Sequence, residues 1–251
     1  MDLSVKIPLF SEIELSSELK TEITMVQSDL EVEVCARRPT DESYFEFSSK
    51  GLTLVDHELG KLHLDFIEDR VNYSRQSHLG KNELIAKAVG LSRGVQRVFD
   101  ATLGLAEDAW FFLRLRVPVV GCERSPVVYL LLKDAVRRAR LVFPELPFHI
   151  HYADAKAVLR SHPDEFPVVY MDPMFPEKKK SALPRKEMRI FRKWVGDDGD
   201  ITELFETAME HATERVVVKR PNKAPDLADG VVHSFKGKTV RYDLYSPRRE
   251  K

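Results

Sequence analysis

The chain has only two cysteines among its 251 residues, Cys35 and Cys122. They lie far apart and lack C-x-x-C spacing, which excludes a disulfide framework and a cysteine-rich metal centre and fits a reducing compartment. No stretch approaches the roughly 20 apolar residues that a membrane-spanning helix needs. Met1–Lys6 mixes charged and apolar residues too closely for a signal peptide. A cytoplasmic location is therefore expected. An excess of one charge is missing too, since 39 Lys and Arg against 40 Asp and Glu leave a net charge of −1. A polyanionic partner would have to be met by a local patch. The eight histidines are scattered without ligand spacing, so no metal is expected. Glycine is scarce, and none of the 11 glycines falls in a G-x-G-x-x-G pattern. That absence argues against a nicotinamide-dependent oxidoreductase.

What remains is an ordinary globular composition, 43% apolar and 31% charged. Residues 1–75 carry short alternating segments, Glu31–Cys35, Tyr44–Phe47 and Lys61–Phe66, with a turn at Ser48–Gly51. Alternation with period 2 marks half-buried strands. A small α+β subdomain is expected there. Residues 76–251 change to strand–helix alternation, the pattern of a parallel, doubly wound sheet. Strands are expected at Val95–Phe99, Pro118–Cys122, Phe148–Tyr152, Val168–Tyr170 and Arg215–Lys219. Helices are expected at Asn82–Val89 with Gly90 as its stop, Ala106–Leu115, Pro126–Arg140 and Thr202–Ala212. Gly230–Phe235 and Val240–Tyr245 flank Lys236–Thr239 and read as a closing hairpin.

Chemistry gathers at the C-terminal ends of the strands, where open α/β sheets place their sites. Asp100–Asp108, containing Gly104, forms the first strand-to-helix turn. Such a turn brings main-chain N–H groups and a helix start to a ligand. Glu123 ends the second strand, where an acid commonly accepts from the ribose hydroxyls of an adenosine cofactor. Asp154 follows the third strand, as an acceptor for an adenine amine or as an N-cap for the segment beginning Ala155. Asp172 follows the fourth. The joint pattern is far more specific than any one acid.

Asp172-Pro173-Met174-Phe175-Pro176 is the most specific segment. The Asp172 carboxylate and the Pro173 carbonyl can accept the two N–H bonds of an exocyclic amine, while Phe175 stacks on a planar base. Downstream, Glu177–Lys193 holds eight basic residues against two acidic ones, a net +6. Lys178, Lys179, Lys180, Arg185, Lys186 and Arg189 in this run are expected to meet RNA phosphates. Lys219-Arg220-Pro221, ending the fifth strand, reads as a further phosphate contact or a simple strand end.

These segments resemble the bacterial 16S ribosomal RNA guanine-N2 methyltransferases of the J type. The resemblance is densest in Glu83–Gly90, Asp100–Ala109, Glu123–Pro126, Tyr170–Arg189 and Val216–Pro221. It implies a class I S-adenosylmethionine-dependent fold, Rossmann-like, with S-adenosyl-L-methionine as donor and S-adenosyl-L-homocysteine as product. It implies donor contacts from Glu107 and Asp108, Glu123 and Arg124, Asp154 and Ala155, and Asp172. It also implies 16S ribosomal RNA, naked or within the 30S subunit, as substrate. The family usually has glycine and arginine where this chain has Ala106 and Glu107, often serine at Asp154, and a glycine-rich stretch where this chain has Ser77–Asn82. The motif at Asp172 is shared with enzymes that methylate DNA adenine, other RNA or protein glutamine. The altered Ala106–Glu107 turn also leaves open a noncatalytic RNA- or ribosome-binding protein with a methyltransferase fold.

Overall fold

The computed structural model describes residues 5–67, 83–174, 185–196 and 199–247. The first part of the chain forms β1 (Val5–Ser11), α1 (Ser17–Met25), β2 (Leu30–Cys35), β3 (Tyr44–Ser48), β4 (Gly51–Asp56) and β5 (Gly60–His63). Then come α2 (Leu84–Val89), β6 (Val98–Asp100), α3 (Glu107–Arg114), β7 (Val119–Glu123), α4 (Pro126–Val142) and β8 (Phe148–Tyr152). The chain continues through α5 (Ala155–Ser161), β9 (Val168–Met171), α6 (Lys186–Val195) and α7 (Ile201–His211). It closes with β10 (Arg215–Pro221), β11 (Val231–Lys236) and β12 (Val240–Tyr245).

Two compact units result. One combines Met1–Tyr73 with Ser125–Leu146 and Glu177–Asp197; the other combines Ser74–Arg124, Pro147–Pro176 and Asp198–Lys251. In the first, the strand order is β2-β1-β3-β4-β5, with β1 parallel to both its neighbours and the remaining pairs antiparallel. The turn read at Ser48–Gly51 closes the β3–β4 hairpin, Ser48 facing Gly51. Gly51 has φ +100, and a methyl group on it would lie 2.3 Å from both Arg138 Nε and Asp134 Oδ2. That approach has a purpose. The fully buried Asp134 carboxylate of α4 accepts the Leu52 N–H at 2.8 Å and Arg138 Nε at 2.9 Å. Arg138 in turn donates to Asp65 at 2.9 Å, so α4 is tied to both ends of the β4–β5 region. At the far end of β4, the buried Asp56 accepts Trp194 Nε1 of α6 at 3.0 Å and lies 3.1 Å from Lys193 Nζ.

The second unit carries a seven-stranded sheet in the order β11-β12-β10-β9-β6-β7-β8. β10, β9, β6, β7 and β8 are parallel, β12 runs antiparallel to β10, and β11 pairs antiparallel with β12. The expected mostly parallel sheet with a terminal hairpin is therefore present, each strand within a few residues of its expected place. All four residues of β9 are buried, which is why Val168–Met171 is apolar without alternation. Phe99, Val169, Met171, Val216 and Val218 form the core with Leu159, Phe205 and Ala208 of the helices. α2 ends at Gly90, whose left-handed φ of 81 provides the expected C-cap. The chain crosses from β6 to β7 on one side of the sheet, while β9 lies on the other. The strand order thus reverses between β6 and β9, the place where α/β sheets open a crevice beyond their carboxyl ends. Among the described residues no helix is long and apolar enough to cross a membrane.

Candidate active site

Register decides which residues meet at this crevice. Asp100, the last residue of β6, pairs with Tyr170 of β9. Ala101 N–H donates to the Tyr170 carbonyl at 2.9 Å, extending the pairing by one step. The chain then turns, and Thr102 Oγ1 accepts the main-chain N–H of Asp172 at 2.6 Å. Thr102 N–H itself donates to Asp100 Oδ1 at 3.1 Å. The first turn and the exit of β9 are therefore bonded to each other at the base of the crevice.

The turn reaches α3 through two left-handed residues, Gly104 at φ 52 and Ala106 at φ 61. For a residue with a Cβ that conformation costs about 1 kcal/mol or more. The methyl of Ala106 is buried, and its carbonyl accepts the Trp110 N–H at 2.8 Å. A glycine at this position, usual in the resembling family, meets the same φ without strain. α3 opens with Glu107, which is exposed, and Asp108, which is half-buried.

On the other side of β9, Val218 of β10 pairs with Met171. One residue further along both strands brings Lys219 level with Asp172. Lys219 Nζ lies 2.9 Å from Asp172 Oδ2 and 2.8 Å from Asp108 Oδ2. The buried Tyr170 hydroxyl donates to the same Asp108 oxygen at 2.6 Å. Lys219 is not a free phosphate contact; it is held inside an acid cluster.

The three acids differ in exposure and charge. Burial, aided by the negative charge of Asp108, pushes Asp100 up to about 8, so it holds its proton at neutral pH. Burial also raises Asp172, but Lys219 opposes it and the carboxyl settles at about 6. Lys219 is lowered by burial and raised more strongly by Asp172 and Asp108, which hold it above the ordinary lysine range. The Asp172 side chain is 37% exposed against 22% for Asp108. Asp172 is thus the ionised acid with a side open to an incoming group.

Further along the sheet edge, Glu123 ends β7 and is buried. Arg124 is exposed and pairs with Asp200 at 3.0 Å. Asp154 caps α5, accepting the Lys156 N–H at 2.8 Å, so its N-cap reading is realised. Ala155 is buried in the first turn of α5. Lys156 Nζ bridges Asp200 at 2.7 Å and Glu203 at 2.8 Å, and these bonds raise it above the ordinary lysine range. Pro173 is buried directly after Asp172. Phe175, Lys178, Lys179 and Lys180 lie outside the described residues. Arg185, Lys186 and Arg189 are exposed at the start of α6, in the other compact unit.

Three participants were not identified from the sequence: Thr102, Tyr170 as a hydroxyl donor, and Lys219 as the partner of two acids. Only Lys219 left a signal there, as a cation directly after an apolar strand core, one step past the residue that pairs with Met171.

The family model described as a putative SAM-dependent methyltransferase matches residues 27–247. Ribosomal RNA small subunit methyltransferase J from Bdellovibrio bacteriovorus is 42% identical over 209 residues, covering 82% of each chain. The protein of the same description from Dechloromonas aromatica is 40% identical over 213 residues, 81% of this chain and 87% of its own. Among solved structures, a SAM-dependent methyltransferase from Neisseria gonorrhoeae matches with a TM-score of 0.72 and 29% identity over 97% of each chain.

Proposed function

The chain belongs to the ribosomal RNA small subunit methyltransferase J family, and we propose that it transfers a methyl group from S-adenosylmethionine to the exocyclic N2 of a guanine in 16S ribosomal RNA. The observation that carries this reading is the position of Asp172. It is ionised, half open and fixed by its own N–H at the topological switch point, immediately before Pro173.

The residues present fit that donor. The left-handed turn at Gly104–Ala106 exposes a helix start, and Glu123 supplies a buried carboxylate for hydroxyl groups one strand away. Asp108 and Asp172 place negative charge where a cationic donor is needed. Asp154 and Ala155 lie at the next strand exit, and Gly104 and Glu107 belong to the first turn. When bound, S-adenosylmethionine supplies an electrophilic methyl group on a sulfonium.

The exocyclic amine of guanine is a poor nucleophile because its lone pair is delocalised into the ring. Asp172 Oδ1 and the Pro173 carbonyl accept its two N–H bonds and turn the lone pair toward the methyl group. As the methyl group would pass from sulfur to nitrogen, the S–C bond breaking while the N–C bond forms and leaving a neutral thioether, positive charge would grow on nitrogen beside the Asp172 carboxylate, which stabilises it. Asp172 then takes the surplus proton or passes it to water. Phe175 is assigned to stack on the base, and Lys178, Lys179, Lys180, Arg185, Lys186 and Arg189 to meet phosphates. The setting is cytoplasmic, and the assembled 30S subunit is the proposed physiological partner.

The deciding experiment supplies radiolabelled donor together with unmodified 30S subunits, naked 16S RNA, DNA and protein. Label is expected on a guanine of 16S RNA, and Asp172→Ala is expected to abolish it. Label confined to DNA or protein would overturn the substrate, and full turnover by Asp172→Ala would overturn the site.

A further inference from the structure

We propose that Lys219 is a positioning residue for methyl transfer: its ammonium fixes the Asp172 carboxylate and joins it to Asp108 at the start of α3. The inference rests on the reading of Asp172 as the acceptor of the base amine, and adds to it a residue on a different strand.

The geometry is specific. Parallel pairing of Val218 with Met171 brings Lys219 beside Asp172 at the next step, so the sheet register itself sets the distance. The ammonium binds Oδ2 of Asp172 at 2.9 Å and Oδ2 of Asp108 at 2.8 Å. Oδ1 of Asp172 is then the oxygen left to the base. Asp108 is held from a second direction by the Tyr170 hydroxyl at 2.6 Å. Asp172 is held from a second direction by Thr102. Each acid therefore has two independent restraints, and Lys219 is the one they share. The Lys219 ammonium is the group that bonds directly to both the base-side carboxylate and the carboxylate in the first turn of the donor-side helix.

The titratable groups around this point come from several elements. Asp108 and Glu107 face it from α3, Asp100 from β6, Tyr170 from β9 and Tyr242 from β12, while Glu83 before α2 acts on Tyr242. Lys219 is the cation among them. Without it, Asp172 is left beside Asp108 and Glu107 without the opposing charge that Lys219 supplies among the described residues, and keeps its proton to higher pH. A protonated Asp172 offers the amine a donor where an acceptor is needed. Lys219 is only 23% exposed, with both hydrogen-bonded neighbours acidic, so a phosphate contact would require breaking two ion pairs.

The test uses the full-length chain with Lys219→Ala, Lys219→Met, Lys219→Arg and Asp172→Asn. Turnover of 30S subunits is followed from about pH 6 to about pH 9, the range that spans a carboxyl moved up by one or two units. Thermal melting identifies which variants are folded. Lys219→Ala is expected to lose at least about tenfold in kcat near pH 7, the loss narrowing toward pH 9 as Asp172 ionises. KM for the subunit should stay within about twofold, because no phosphate contact is removed. Lys219→Met, which keeps the apolar stem, carries the same expectation where the alanine variant does not fold. Lys219→Arg should recover most of kcat and the wild-type pH profile. A wild-type kcat and pH profile in Lys219→Ala or Lys219→Met would overturn the inference. So would a loss confined to KM and its salt dependence. An inactive Asp172→Asn beside a wild-type-like Lys219→Ala would overturn this inference alone, whereas a fully active Asp172→Asn would overturn the site reading and this inference with it.

Discussion

The hydroxyl oxygen of Thr102 accepts the main-chain N–H of Asp172 at 2.6 Å, so the turn after β6 fixes the backbone that presents the acid after β9. Thr102→Val keeps the shape and removes the acceptor. A fully buried N–H left without a partner costs about 1–3 kcal/mol, and this half-buried one costs less. Because the affected backbone carries Asp172, the loss is expected chiefly in kcat, by roughly tenfold or more. Thr102→Ser should retain turnover. Single-turnover methyl transfer with saturating donor measures both, and a Thr102→Val rate equal to wild type would show that this bond does not position the acid.

Glu107 is an exposed acid in the first turn of α3, and its charge is among the causes that raise Asp172. Glu107→Arg replaces a like charge with an opposite one near Asp172, which favours the ionised carboxylate. The acidic limb of kcat/KM, expected near the Asp172 value of about 6, should therefore move to lower pH. Activity below that value rises relative to wild type, and activity at high pH is little altered. An acidic limb that stays in place would show that Glu107 does not act on Asp172 in solution.

The parts of this architecture legible in the sequence were those set by one chain segment at a time. Val168–Met171 is buried on every residue, so it is apolar throughout and easily read as a strand. Asp100, Glu123, Asp154 and Asp172 were visible as acids directly after apolar runs. The Lys219–Asp172 pair was not, because it depends on β10 lying beside β9 in a particular register. The same holds in the first unit. Gly51 read as a turn residue, but its closeness to Asp134 and Arg138 requires α4, which is distant in sequence. β1 pairs in parallel with β2 and β3, an arrangement that alternation within a strand does not encode. The alternation of Lys61–Phe66 predicts one strand, yet β5 stops at His63. Asp65 beyond it receives Arg138, a side-chain bond that takes the place of further strand pairing.

Asp56 gives the first unit an acid-sensitive joint. Burial would raise its carboxyl, but hydrogen bonds from Leu59 N–H, Trp194, Lys193 and Glu58 N–H hold it below the ordinary carboxylate range. A carboxyl lowered in the folded state contributes stability above its unfolded value, and loses it as pH falls through its folded value. Asp56→Asn is expected to cost about 1–3 kcal/mol near neutral pH, from lost charge-assisted hydrogen bonds. The gap between wild type and variant should narrow as the solution is acidified. Thermal melts of both proteins at a series of pH values check this, and a gap independent of pH would refute the linkage.

The basic run is the remaining point at which sequence and structure can be separated by measurement. All its cations looked equivalent in the sequence, but in the described residues they are not. Arg185, Lys186 and Arg189 are exposed, whereas Lys193 lies 3.1 Å from Asp56 and 2.9 Å from Glu58. A cation already neutralised by two carboxylates releases few counterions from RNA. Replacing Arg185, Lys186 and Arg189 together with alanine should weaken RNA binding and flatten the plot of log affinity against log salt. The slope falls by about 0.7 per lost contact to single-stranded RNA, or roughly 2 for three. Lys193→Ala should leave that slope unchanged and lower the melting temperature instead. Binding titrations at several salt concentrations distinguish these outcomes. An unchanged slope in the triple variant would remove α6 from the RNA contact, and a reduced slope in Lys193→Ala would mean that RNA displaces its acidic partners.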